Sequence, residues 1–118
     1  MDKYGEGIKG EEIAKNYLIG QGYKIIASNV NYPNVGELDI VAMDGKTLVF
    51  VEVRTRSDNA FGHPFETFTK EKIRKVVAAS RRYLAEHKVA CRGYRYDAVA
   101  VFRGTPELIK DAFYAKWR

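Results

Sequence analysis

The feature that most constrains this chain is a pair of alternating runs around Asp44-Gly45: Glu37–Met43 (ELDIVAM) before it and Lys46–Arg54 (KTLVFVEVR) after it. Asp-Gly between two β-rich segments is among the strongest short-range signals for an antiparallel hairpin. A two-residue turn at Asp44-Gly45 sets Met43 opposite Lys46, and side chains alternate faces with a period of two. On one face this register pairs Val41 with Leu48, Asp39 with Phe50 and Glu37 with Glu52, with Arg54 one step beyond. Glu37, Asp39, Glu52 and Arg54 then share the end of the hairpin farthest from its turn. Asp39 and Glu52 become diagonal neighbours, roughly 5–8 Å apart at Cβ and within reach of one ion.

The flanking sequence supplies the remaining elements. Apolar residues Ile13, Ala14, Tyr17 and Leu18 recur at helical spacing between about Glu6 and Gln21, and Gly20 and Gly22 end that helix. Tyr23–Asn31 reads as a strand, and Tyr32-Pro33-Asn34-Val35-Gly36 as a turn. Thr55–Phe68 reads as a loop. Thr69 is placed to cap a helix over Lys70–His87 whose apolar stripe is Ile73, Val76, Val77, Ser80, Tyr83 and Leu84. Tyr94–Phe102 and Leu108–Lys110 are the last strands, and Ala112–Arg118 is a terminal helical turn or a frayed tail. The expected fold is α/β: a single compact domain over residues 1–118, a mixed β-sheet flanked by helices in the order α-β-β-β-α-β-β. The second helix is long enough to be a crossover, which sets its neighbouring strands parallel.

Composition narrows the function classes. Twenty Lys and Arg against fifteen Asp and Glu give a net charge of +5, which favours a polyanionic partner. The lone Cys91 excludes an internal disulfide and a thiolate metal cluster. No apolar run approaches the roughly 18 residues of a membrane span. The N-terminal residues carry no signal-peptide core. The expectation is a cytoplasmic protein with no membrane partner. Gly-rich phosphate loops and nucleophile elbows are missing from the sequence.

Crowded carboxylates on one sheet face destabilise unless something neutralises them. A divalent cation does so, and an oxygen-rich set suits Mg²⁺ or Mn²⁺. In that reading Asp39 and Glu52 hold the ion, the Val53 carbonyl adds a ligand, and Arg54 contacts a scissile phosphate. The plainer alternative is neutralisation by Arg54, Arg56 or Arg95. Lys70, Lys72 and Arg74 follow the loop from this site and are candidate phosphate contacts, as is Arg56; the other cations of the second helix read as a solvated face. His63 and His87 lack the second histidine or cysteine of a zinc site. Tyr17, Tyr83 and Tyr96 read as core and Tyr32 as a base-stacking candidate. Asp97 belongs either to the polar face near the site or to a neighbouring arginine.

The run Gly36-Glu37-Leu38-Asp39-Ile40-Val41-Ala42 followed by Val49-Phe50-Val51-Glu52-Val53-Arg54-Thr55-Arg56 resembles the uncharacterised YraN-type family, which is similar to archaeal Holliday-junction resolvases of the PD-(D/E)xK, restriction-endonuclease-like superfamily. The resemblance extends through Gly10–Ala14, Phe61–Pro64, Lys72, Tyr96–Ala100 and Ile109–Phe113, nearly the whole chain. It implies a restriction-endonuclease-like fold, with Glu11 as a helix-borne acid and Asp39 and Glu52 as the motif carboxylates. The lysine of E-x-K is here Arg54, which keeps the charge but does not deprotonate at neutral pH. A lysine on another element, Lys72 or Lys46, is the available substitute. The reading is an endonuclease dependent on Mg²⁺ or Mn²⁺ that hydrolyses phosphodiester bonds in branched or structured DNA, with Asp39, Glu52, Arg54 and Glu11 in the chemistry. A junction has two-fold character, which a homodimer suits. The alternatives are a non-catalytic nucleic-acid-binding or DNA-processing partner that kept the fold, and a protein-interaction module whose carboxylates pair internally.

Overall fold

A computed structural model describes residues 3–56 and 68–113, with side chains described for 10–55 and 68–113. The elements follow the expected order: α1 (Lys3–Gly20), β1 (Lys24–Tyr32), β2 (Gly36–Asp44), β3 (Thr47–Arg56), α2 (Lys70–Glu86), β4 (Gly93–Phe102) and β5 (Thr105–Ile109). The five strands form one sheet in sequence order. All neighbours are antiparallel except β3 and β4, the pair joined through α2. A parallel pair needs such a crossover, because no tight turn can return the chain to the same end of the sheet. The last strand begins at Thr105, earlier than the expected Leu108. Segments Thr55–Phe68 and Ala112–Arg118 lie largely outside the described residues, including Phe61–Pro64 with His63.

Each helix buries one face of the sheet. Ala14 and Leu18 of α1 pack with Tyr23, Ile40, Ala42, Val49, Val51, Val99 and Val101. On the other side Ile73, Val76, Val77, Ala79 and Tyr83 of α2 pack with Leu38, Val41, Leu48, Phe50, Tyr96 and Phe113. The predicted stripe of α2 is buried apart from Leu84, which is half-buried. Its one polar member, Ser80, is satisfied: the hydroxyl donates to the Val77 carbonyl at 2.7 Å and lies 2.6 Å from the Tyr96 hydroxyl. Thr69 caps α2 as expected, its Oγ1 accepting from the Lys72 N–H at 3.1 Å. Tyr83 and Tyr96 are core residues, whereas Tyr17 is half-buried.

The hairpin forms, with a corrected register. Asp44 pairs with Thr47, so the two-residue loop is Gly45-Lys46 rather than Asp44-Gly45. Gly45 carries φ +62 and Lys46 does not share it, which puts glycine first in the loop, as a type II′ turn requires. The slip is two residues, so the faces are preserved: Val41 opposes Phe50, not Leu48, and Ile40 opposes Val51. Glu37 and Glu52 are not partners. One more step along this corrected register faces Asp39 with Glu52 directly.

Candidate functional site

That step is where pairing stops. The β2–β3 ladder ends at Ile40 and Val51. Beyond it β2 continues beside β1 through Leu38, Glu37 and Gly36, while β3 continues beside β4 from Glu52 to Arg56. The sheet therefore forks, with Asp39 on one arm and Glu52 on the other. Alternation breaks at the same level: Leu38 and Val41 share the α2-side core, whereas Ile40 and Ala42 share the α1-side core. Asn29, which the β1–β2 register places opposite Asp39, sits at φ +53. Asparagine tolerates this left-handed conformation, and it lets the two-stranded ribbon turn away from β3. The asparagine within Ala27-Ser28-Asn29-Val30 is the sequence signal for this bend, and an unbroken strand over Tyr23–Asn31 makes no use of it.

The two carboxylates fill the fork. Val53 N–H donates to Asp39 Oδ2 at 2.9 Å, and Asp39 N–H approaches Glu52 Oε2 at 3.4 Å. Each acid thus faces a backbone donor that the lost ladder would otherwise leave unpaired. Glu52 is 1% exposed, and its second oxygen, Oε1, is buried without a hydrogen bond. The nearest described cation is Lys72, whose Nζ lies 3.8 Å from that oxygen. Burial, and then the neighbouring Asp39 charge, push the Glu52 carboxyl up to about 8 against a lesser pull from Lys72. Burial also raises Asp39, opposed first by the Val53 N–H and then by Lys72 and Arg54.

The other sequence-predicted residues distribute as follows. Arg54 is half-buried; it donates to the Val53 carbonyl at 3.2 Å, and its guanidinium lies 4.9 Å from the centre of the Phe68 ring. The Val53 carbonyl is therefore close to the fork but already accepts one bond. Glu37 is exposed and lines a groove of about 360 Å³ with Gly36, Thr69, Lys72 and Lys75. Lys70 and Arg74 are exposed on α2. Arg56 ends β3, its side chain outside the described residues. Glu11 belongs to α1, which packs on the opposite face of the sheet, where Gly10 lies against Thr55. Glu11 Oε1 is buried without a hydrogen bond, and among the described residues no three His, Cys, Asp or Glu side chains gather into a metal-binding group. The structure thus brings together Asp39, Glu52 and Lys72, and does not add Glu11 to them.

Arg95, one of the arginines expected to neutralise the acids, serves a different network. It donates to Asp97 at 2.8 and 3.0 Å, to Asp44 at 2.8 Å and to the Tyr23 hydroxyl at 3.0 Å. Asp97 also accepts from the Tyr23 hydroxyl and the Asp111 N–H. This fully bonded cluster explains Asp97 as an arginine partner at the hairpin end of the molecule. Tyr32 is likewise occupied, with its hydroxyl on Glu86 and Arg82 over its ring.

The family model described as "Uncharacterised protein family UPF0102" matches residues 10–101. The chain is 47% identical to a UPF0102 protein of Beutenbergia cavernae over 97 residues, covering 82% of this chain and 81% of the relative. It is 40% identical to one of Chromohalobacter salexigens over 117 residues, covering 95% and 93%. A UPF0102 protein of Persephonella marina is 33% identical over 113 residues, covering 96% and 97%. Among the described residues no helix is long and apolar enough to cross a membrane.

Proposed function

The chain belongs to the uncharacterised protein family UPF0102, and from that footing we propose that it is a divalent-cation-dependent endonuclease acting on structured DNA. The observation that carries the reading is the fork: two acids on diverging strands, one with a buried oxygen that no hydrogen bond satisfies. The motif resemblance of Asp39 and Glu52-Val53-Arg54 to the PD-(D/E)xK pattern points the same way.

The residues present fit a small hard cation. Mg²⁺ is commonly held by one or two carboxylates with water completing its shell, so an all-protein cage of three acids is not required. Asp39 and Glu52 would hold it, with the Val53 carbonyl beside them. A cation bound there supplies Lewis acidity and lowers the pKa of a water ligand.

The chain's own groups define the rest. Asp39 and Glu52 offer the cation the oxygens that the Val53 and Asp39 N–H groups leave open. Lys72 and Arg54 place positive charge beside the phosphate, where negative charge grows in the transition state. A water oxygen bonds to phosphorus and one ester P–O bond breaks. One proton of the water ends on the leaving oxygen, the other in solvent as the new phosphomonoester ionises. Exposed Lys70 and Arg74 position the backbone without reading sequence.

The test is incubation with duplex, single-stranded and four-way-junction DNA in Mg²⁺, Mn²⁺ or chelator, with Asp39→Ala and Glu52→Ala alongside. The reading expects cleavage that chelator and both variants abolish. One observation favours a second reading: each acid already caps a backbone donor of the fork. A non-catalytic DNA-binding protein would show salt-sensitive binding with no cleavage under any metal.

A further inference from the structure

We propose that Lys72, reaching from α2, is the catalytic cation of the fork, filling from another element the role that E-x-K assigns to the position of Arg54. This assignment rests on the endonuclease reading above and deepens it.

Three observations carry it. The first is placement: Lys72 Nζ stands 3.8 Å from the one oxygen of Glu52 that no donor satisfies. Its side chain is also 34% exposed and lines the groove beside α2. The ammonium therefore touches the buried acid and remains open to a phosphate entering from solvent. Glu52 alone, at 1% exposure, cannot do both.

The second is rigidity. Lys72 sits in the first turn of α2, where its own N–H is held by the Thr69 cap. The next turn of the helix is set against β2 by close backbone contact, since a Cβ on Gly36 would lie 2.5 Å from the Lys75 carbonyl. The carboxylate arm and the lysine arm thus share one packed junction, and orientation of this kind lowers a barrier without further reorganisation.

The third is what occupies Arg54. Its guanidinium donates to the neighbouring Val53 carbonyl and packs over Phe68, which in turn meets Phe113 at 5.9 Å between ring centres. Arginine suits such planar stacking, whereas lysine is a compact point charge. Arg54 reads as a cation fixed in the wall of the site, and Lys72 as the one that meets the reacting phosphate. During hydrolysis the Lys72 ammonium stays protonated. It stabilises the extra negative charge on the phosphoryl oxygens while water adds and the ester P–O bond breaks.

The experiment compares wild type, Lys72→Met, Lys72→Arg and Arg54→Met on four-way-junction DNA with Mn²⁺, and titrates Mn²⁺ calorimetrically without DNA. Lys72→Met is expected to slow cleavage by about 100-fold, the usual scale for losing one charge-stabilising donor. Lys72→Arg, which keeps the charge, stays within about tenfold of wild type, and Arg54→Met loses less than Lys72→Met. Mn²⁺ binding to Lys72→Met is retained or tightened, because the like charge nearest the acids is gone. That readout separates a lost catalytic group from a damaged fold.

Lys72→Met cleaving within about threefold of wild type while Arg54→Met is inactive would overturn the assignment and leave the endonuclease reading intact. Loss of Mn²⁺ binding in Lys72→Met also overturns it, since the lysine would then be holding the acids in place. A wild type that cleaves no DNA with either metal overturns both.

Discussion

Replacing Glu52 with Gln tests the electrostatics of the fork independently of any activity. In the folded protein Glu52 titrates at about 8, against 4.5 for an ordinary glutamate. Folding therefore favours its protonated form. The stabilisation is fully present below about pH 4.5 and is lost as pH rises through about 8. A tenfold difference in proton affinity between the folded and unfolded chain is worth about 1.4 kcal/mol. Integrated between pH 5 and pH 8, the Glu52 contribution to unfolding free energy falls by about 3 kcal/mol. Gln is nearly isosteric and does not titrate, so Glu52→Gln removes this slope while leaving the rest of the pH dependence in place. Asp44, whose carboxyl is held below its usual range first by its bond to Arg95, contributes stability of the opposite sign that is lost on acidification. That contribution cancels when wild type is subtracted from the variant. Urea unfolding at half-unit steps from pH 5 to 8.5 is the assay. The difference curve, variant minus wild type, is expected to rise by about 3 kcal/mol towards high pH. A flat difference curve would refute the account of Glu52 as a desolvated acid crowded by Asp39.

Two further predictions concern the scaffold that holds the fork. Gly36→Ala places a methyl 2.5 Å from the Lys75 carbonyl, a backbone atom that cannot swing aside, so chemical denaturation should show a loss of about 1–3 kcal/mol; a loss below about 0.5 kcal/mol would mean that α2 is not seated on β2 as described. Asn29→Val forces a β-branched residue to φ +53 and should cost about 1–2 kcal/mol, whereas Asn29→Gly should be nearly neutral in the same unfolding assay.

The elements were legible because their signals are local. Asp44-Gly45 between alternating runs, Thr69 before an amphipathic stretch and Gly22 after a helical one each act within a few residues, and each marks an observed boundary or turn. The two-residue slip of the hairpin was not legible, because both Asp44-Gly45 and Gly45-Lys46 are acceptable loops by composition. Glycine's positive φ at the first loop position decided between them. Being two residues, the slip preserved the faces of the paired residues Ile40–Asp44 and Thr47–Val51, and one step past the last pair Asp39 still meets Glu52. Where β2 leaves β3, and which cation reaches the acids, depend on packing between distant segments. Lys72 lies twenty positions beyond Glu52 in sequence, and only the seating of α2 brings them together.

The nature of the fork bears on why acids stand there at all. A strand that departs from a sheet strands two backbone N–H groups, and any side-chain oxygen can satisfy them. Asparagine and glutamine would cap Asp39 N–H and Val53 N–H equally well, without mutual repulsion or the cost of burying a charge. With Asp39 and Glu52 in these places, one acid is raised to about 8, and its second oxygen is left bare next to a lysine 3.8 Å away. That distance is too long for a hydrogen bond, so the ammonium offsets the charge without satisfying the oxygen. A structural role accounts for one oxygen of each carboxylate and leaves the second oxygen of Glu52 unused. A cation drawn to the pair, with a phosphate drawn to Lys72, accounts for the remainder, and it does so with the residues the fold already brings within reach.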